Sequence, residues 1–275
     1  MRTIAQISDL HFGRHDAAVA DALLASLREA DCDLVVVSGD LTQRARRHEF
    51  ALARAFLDRI ELPLLVVPGN HDVPPLYRPV SRLLRPLARF DRYVSQDRQP
   101  FFVDDEIAVL GLGTARGLSG KNGRVSLEQM AAIRAVLGGL PDRLFKVLVT
   151  HHPLAAPMLA APLQMVGRAR RALDAVADAG VHLLLSGHYH RWASGEAPAQ
   201  VTRQRSVLVV HAGTAVSTRT RGGEANSYNL VRLDGEWLEV VVMTWRQEGF
   251  VATERAAYVL RAGGWIAAPA GTRAG

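Results

Sequence analysis

A single cysteine, Cys32, stands in a chain of 275 residues. That excludes an internal disulfide and a cysteine-based metal site. Aromatic residues make up only 6% and do not interleave with runs of basic residues, so a dedicated nucleic-acid surface is not expected. No apolar run approaches the roughly 18 residues of a membrane-spanning helix; residues 62–67 and 181–185 are strand-sized. The chain opens directly into an apolar strand, residues 3–7, without separate basic, apolar and cleavage regions. No signal peptide is therefore expected, and the cytoplasm is the expected compartment. Lysine is nearly absent as well. Lys121 and Lys146 are the only two, so 31 of the 33 basic residues are arginine, under a net charge of +6. Two readings of this excess stay open. One is a GC-rich genome, whose codons favour arginine; the other is a preference for anionic partners, whose phosphate geometry guanidinium groups match.

What is present points to an α/β protein. Hydrophobic residues at 48% and charged residues at 22% are the balance of a globular chain with a sizeable core. Residues 3–8, 34–38 and 64–67 read as strands buried on both faces. Residues 16–30 and 46–60 between them carry apolar positions at helical spacing, such as Phe50, Ala53, Phe56, Leu57 and Ile60. This βαβαβ pattern implies parallel pairing with right-handed crossovers. Pro74 and Pro75 break the chain, and a loosely helical, arginine-rich segment follows to about residue 99. Short strands at 101–104 and 107–112 lead to a helix over 127–137, opened by the Ser126/Gln129 capping-box pair. Strand 145–150, helix 168–179 and strand 181–186 follow. From residue 200 onward, 206–210, 228–233, 237–245 and 251–260 read as antiparallel strands, with a turn at Asp234-Gly235. Residues 1–266 are expected to form one domain with two sheets, and 267–275 a loose tail.

Five of the buried strands end in residues able to bind a metal. They run into Asp9 and His11, into Asp40, into Asn70-His71-Asp72, into His151, and into His188 and His190. The carboxyl ends of parallel strands gather at one edge of a sheet, where ligand sites form. Asp9 and His11 are two residues apart, as are His188 and His190, so in extended chain each pair points one way. A glycine precedes Asp40, Asn70 and His188 and lets the backbone approach a ligand. Two carboxylates, one amide and four imidazoles are too many for one tetrahedral ion. One trivalent or two divalent cations are the candidate occupants, and two ions sharing a carboxylate account for the number.

The blocks Asp9-Leu10-His11, Gly39-Asp40, Gly69-Asn70-His71-Asp72, His151-His152-Pro153 and Gly187-His188-Tyr189-His190 resemble, in order, those of the calcineurin-like metallophosphoesterases. The resemblance implies a four-layer α-β-β-α sandwich of two mixed sheets. It implies that Asp9, His11, Asp40 and His190 hold one metal, and that Asp40 bridges to a second held by Asn70, His151 and His188. Mn²⁺, Fe and Zn²⁺, as a divalent or mixed-valence pair, all suit these ligands. Two ions roughly 3.5–4 Å apart would turn a shared water into a hydroxide nucleophile and neutralise the phosphate. His71 would act as general acid towards the leaving oxygen, and Asp72 either orients His71 or caps a turn. No covalent enzyme intermediate is needed.

The compact arrangement looks most like class III cyclic-nucleotide phosphodiesterases, making a 3',5'-cyclic nucleotide the expected small phosphodiester substrate. Those enzymes commonly continue past Gly-Asn-His-Asp with an acidic residue and an arginine, where this chain has Val73-Pro74-Pro75-Leu76-Tyr77. The alternatives are another phosphodiester (a glycerophosphodiester or phospholipid head group) or a phosphomonoester. A scaffold without catalysis should have lost ligands, and every expected one is present. Arg116 could reach the rim of the site, and Arg219 or Arg221 could clasp a phosphate from the polar segment 211–221. His152 either hydrogen-bonds a ligand, the favoured reading, or only packs beside Pro153, whereas His15, His48, His182 and Cys32 read as structural or solvated. The stretch 78–98, carrying Leu83, Leu84, Leu87 and Phe90, either packs its apolar face on the sandwich or makes peripheral contact with an anionic membrane. Packing is the expectation.

Overall fold

The computed structural model describes residues 1–156, 165–197, 206–220, 223–261 and 264–270. Strand β1 (Arg2–Ile7) leads through helix α1 (Ala17–Glu29) to β2 (Leu34–Val37), and through α2 (Arg47–Leu57) to β3 (Leu64–Val66). β1, β2 and β3 pair in parallel, as the alternation of strand and helix predicts. Asp16 starts α1 by accepting from the Ala18 and Val19 amides, which satisfies donors that have no partner within the helix. Two short helices follow, α3 (Pro79–Leu84) and α4 (Ala88–Tyr93).

The second half repeats the scheme. Strand β4 (Phe101–Val103) pairs antiparallel with β5 (Ile107–Leu112), and β5, β6 (Phe145–Thr150) and β7 (Leu183–Ser186) alternate with α5 (Leu127–Ala132) and α6 (Ala169–Asp178). The expected capping box opens α5: Ser126 Oγ accepts from the Gln129 amide at 3.1 Å and Gln129 Oε1 from the Ser126 amide at 3.0 Å. The last turn of that helix, Ile133–Leu137, widens to π geometry. Then come β8 (Ala193–Glu196), β9 (Leu208–His211), β10 (Ser227–Asp234), β11 (Trp237–Arg246), β12 (Gly249–Arg261) and β13 (Gly264–Ala268).

One sheet has the order β13-β12-β11-β10-β1-β2-β3 and the other β4-β5-β6-β7-β9-β8. Both are mixed. Alternate strand residues separate into different cores, because successive side chains leave a strand on opposite faces. Ile4, Val36, Val109, Val147, Leu185 and Val210 meet in a core between the sheets. Ile7, Val35 and Val37 turn instead to α1 and α2, and Leu110, Leu148 and Leu184 to α5 and α6. Helix, sheet, sheet and helix make the expected four layers.

Three expectations need correction. The strand expected at 206–210 is not part of an antiparallel run: β9 lies parallel beside β7 and antiparallel only to β8. β8 went unread because its sequence, Ala-Ser-Gly-Glu, is half-buried and has no apolar alternation. β13 pairs Ala267 with Tyr258 and Ala268 with Ala257, so ordered structure enters the stretch expected to be a tail. Helix α3 also departs from expectation: Leu87 and Phe90 are buried, but Leu83 and Leu84 are not.

The layering yields a stability contrast. Leu185→Ala, between the sheets, should cost about 2–5 kcal/mol of unfolding free energy. Leu83→Ala, on the exposed helix, should change it by less than about 0.5 kcal/mol. Urea midpoints at unchanged slope check both.

Candidate metal centre

Because β1, β2 and β3 of one sheet and β6 and β7 of the other end at the same edge of the sandwich, their trailing residues converge. Ligating atoms of Asp9, His11, Asp40 and His190, all buried, lie within 4.8 Å of one another, and so do those of His151, His152 and His188. Asp40 joins the two groups. Its Oδ2 is 3.9 Å from His11 Nε2 on one side and 3.3 Å from His151 Nε2 on the other. Asn70 Oδ1 and His188 Nδ1 approach the same His151 nitrogen at 3.2 and 3.3 Å.

The backbone is bent to make this possible. Asp9 (φ 53°), His11 (48°), Asp40 (55°), His188 (77°) and His190 (59°) all take the left-handed conformation. That conformation costs a non-glycine residue about 1–3 kcal/mol, so the surrounding structure has to impose it. Two glycines allow the close approach: a methyl on Gly69 would overlap the Asp40 carboxylate, and one on Gly187 the Ser8 hydroxyl and Asp9 carboxylate.

Hydrogen bonds behind the cluster fix the imidazoles. Nδ1 of His151 faces the Ser38 carbonyl at 2.8 Å, that of His190 the Arg219 carbonyl at 3.2 Å, and that of His11 the Thr42 carbonyl at 3.4 Å. A carbonyl can only accept, so each Nδ1 carries a proton and each Nε2 points inward, where it can offer a lone pair to a cation. His11 Nε2 and His190 Nε2 are 3.1 Å apart, a confrontation that calls for a positive charge between them, a proton or a metal ion. Asp9 fits the same demand. Its Oδ2 accepts from Ser8 Oγ at 2.6 Å and the His188 amide at 3.0 Å, while its buried Oδ1 has no well-aligned donor and faces only imidazole nitrogen, His190 Nε2 at 3.2 Å. An orphaned carboxylate oxygen facing inward imidazoles, with no thiolate among the donors, suits a first-row divalent cation.

Charge follows the same logic. Burial alone would raise the Asp9 and Asp40 carboxyls, but neighbouring imidazoles, His190 for Asp9 and His151 for Asp40, outweigh it and hold both well below the usual range. Burial opposes charge on His151 too, yet Asp40 lifts it to about 9. Burial pushes His11 and His188 down to about 4, with the positive neighbour His151 adding to the effect on His188.

His71 sits at the rim of the centre, its ring 4.8 Å from that of His11. Its Nδ1 donates to the Gln43 carbonyl at 2.7 Å, and its Nε2 accepts from Arg219 Nη1 at 3.3 Å. Asp72 does not orient that ring. Its carboxylate accepts from the amides of Leu41 (3.2 Å), Thr42 (2.9 Å) and Gly69 (2.9 Å) and from Thr42 Oγ1 (2.9 Å), tying the Asp40 loop to the Asn70 loop. Arg116 is also spent locally, on the Gly113 and Ala115 carbonyls and on Gln129 Oε1, and does not reach the centre. Arg219 does, and Arg221 lies outside the described residues. His152 bonds Thr114 Oγ1 at 2.7 Å and packs 4.9 Å from the rings of His151 and His188. It braces them by contact rather than by the expected hydrogen bond to a ligand. His15 packs on Phe12, and His182 stacks on Phe145, both away from the centre.

Sequence reading missed the cleft beside the centre. A cavity of about 520 Å³ is lined by Asn70, His71 and Arg219 together with Arg14, Arg44, Lys121, Leu76 and Tyr77. Arg14 and Arg44 stand three and four residues beyond the candidate ligands His11 and Asp40, a signal that was available. Lys121 arrives from a distant loop and left none.

Residues 2–192 match the family model described as calcineurin-like phosphoesterase, and the chain belongs to that family. A glycerophosphodiester phosphodiesterase, GpdQ, of Enterobacter lignolyticus is 32% identical over 169 residues, covering 55% of this chain and 57% of that protein. A probable cyclic nucleotide phosphodiesterase of Fibrobacter succinogenes is 27% identical over 161 residues, 54% of this chain and 56% of that one. The chain thus spans just over half the length of the curated relatives it matches. A dimetal phosphatase from Danio rerio shares the fold at a TM-score of 0.63 and 16% identity, over 93% of this chain and 98% of its own.

The brace formed by Asp72 can be told from a catalytic role. Asp72→Ala strands three buried amides, each worth about 1–3 kcal/mol when unsatisfied, so thermal unfolding should come many degrees earlier. A residue that only oriented His71 would leave the melting temperature unchanged.

Proposed function

We propose that this chain is a phosphodiesterase with a two-ion centre, Asp9, His11, Asp40 and His190 holding one cation and Asp40, Asn70, His151 and His188 the other. The observation that carries the proposal is Asp40 Oδ2, which faces both ligand groups at once. Divalent ions bound there would supply an acidified water and neutralise phosphate charge. His71 protonates the leaving oxygen from Nε2, its ring held by the Nδ1 bond to Gln43. In that role it is an imidazolium, with both nitrogens as donors. Arg219, which donates to the same Nε2 in the free protein, binds a phosphate oxygen when substrate is present.

A 3',5'-cyclic nucleotide is the first substrate we propose. The flat, exposed Tyr77 beside the cations of the cleft supports a base next to a phosphate, and the Fibrobacter relative is named for that activity. The second reading is a glycerophosphodiester, supported by the Enterobacter relative. Arg14, Arg44 and Lys121 line the cleft without a carboxylate, which favours neutral or anionic leaving groups over choline or ethanolamine.

Cyclic AMP, glycerophosphoglycerol, glycerophosphocholine and bis-(p-nitrophenyl) phosphate, offered to the Mn²⁺-loaded protein, test these readings. Cleavage of the synthetic diester and of cyclic AMP is expected. Cleavage of glycerophosphoglycerol without cyclic AMP selects the second reading, and no cleavage of any diester contradicts both. His71→Ala should lower kcat by about 10²–10³ for alkyl leaving groups and by much less for p-nitrophenolate. Equal losses with every leaving group would remove the general-acid role.

A further inference from the structure

Helix α3 is inside out. Its charged Arg82 is only 7% exposed. That guanidinium donates to the Gly117 carbonyl at 2.8 Å, the Pro74 carbonyl at 2.7 Å and the Gly120 carbonyl at 3.3 Å. Val80, Leu83 and Leu84, at the i, i+3, i+4 spacing of one helical face, point outward and are 69%, 54% and 76% exposed. Burial of apolar surface would ordinarily turn such a helix the other way. Leu76, Tyr77 and, on the loop that Arg82 grips, Leu118 are exposed beside them. These six are nearly half of the thirteen large exposed hydrophobics among the described residues, drawn into one corner of the molecule.

The same corner is strongly cationic. A groove of about 680 Å³ along α3 and α4 is lined by Arg47, Arg78, Arg85, Arg89 and Arg92, with no carboxylate in its lining. Arg89 gives a nitrogen to the Ala45 carbonyl. Arg47, Arg78, Arg85 and Arg92 have no ion-pair partner among the described residues. The nearby Asp91 is itself occupied by Arg98, at 2.6 Å. A solvated surface would mix both signs of charge, and a second copy of this chain would bring a like-charged groove against this one.

We propose that this corner docks on an anionic phospholipid bilayer, with the leucine face of α3 entering the headgroup boundary and the arginine groove meeting the lipid phosphates. Leu76 and Tyr77 belong both to this surface and to the cleft beside the metal centre. Docking therefore sets the mouth of the cleft at the lipid surface, whichever phosphodiester it cleaves.

Co-sedimentation of the full chain with vesicles tests the docking without reference to activity. Phosphatidylcholine vesicles containing about one-third phosphatidylglycerol should bind it at about 0.1 M salt and release it at about 1 M, and phosphatidylcholine alone should not bind. Arg85→Ser with Arg92→Ser should weaken partitioning about thirtyfold, and Leu83→Ser with Leu84→Ser about tenfold. Both pairs should keep the wild-type melting temperature. Equal binding to neutral vesicles overturns the proposal, as does an absence of binding to either kind. A dimer that Leu84→Ser converts to monomer, without vesicle binding, would assign the face to a second copy. A melting temperature lowered by the leucine substitutions would mean that the chain itself covers the face, again contradicting the proposal.

Discussion

Asp40 carries a carboxylate out of contact with solvent, and its two oxygens serve three neighbours: the His71 amide, His11 and His151. A lone buried carboxylate would take up a proton. Here the surrounding imidazoles keep it ionised, and the arrangement works only if the ends of two sheets meet at this one place. The rest of the fold answers that requirement. Parallel β1, β2 and β3 bring their carboxyl ends to the edge of one sheet, and β6 and β7 do so for the other. The core between the sheets holds the two edges in register.

Local geometry completes what the sheets begin. Of the nine non-glycine residues with positive φ among the described residues, five carry candidate ligand atoms of the centre. Strain concentrated in this way persists only where neighbours over-determine the backbone. Those neighbours are identifiable. Asp72 ties the Asp40 loop to the Asn70 loop. Thr214 Oγ1 donates to the Asp9 carbonyl at 2.6 Å, and carbonyls of Ser38, Thr42 and Arg219 fix the rings of His151, His11 and His190. A positive charge relieves the confrontation of lone pairs at the middle. Stability and metal affinity are therefore two readings of one set of contacts.

Much of this was legible in the sequence, and the reasons differ by residue. The seven proposed ligands could be read because each follows a strand apolar on both faces, with a glycine before three of them. Such signals are local and carry periodicity. The roles of Asp72 and Arg116 were not legible, since a polar side chain beside many backbone groups finds its partners by angles of a few tens of degrees. β8 and β13 escaped because edge strands bury too little to require an apolar pattern. Helix α3 was misread for the opposite reason. Its leucines are well patterned, but Arg82 found three carbonyls to satisfy inside, and the apolar face was left to the surface.

The number of Mn²⁺ ions bound per chain, by calorimetric titration of the wild type, Asn70→Ala and Asp40→Ala, bears most directly on the shared carboxylate. Two ions are expected for the wild type, loss of one with Asn70→Ala, and weakening of both with Asp40→Ala. If Asp40→Ala loses a single ion and leaves the other at wild-type affinity, Asp40 does not join two sites and the centre is not built on a shared carboxylate.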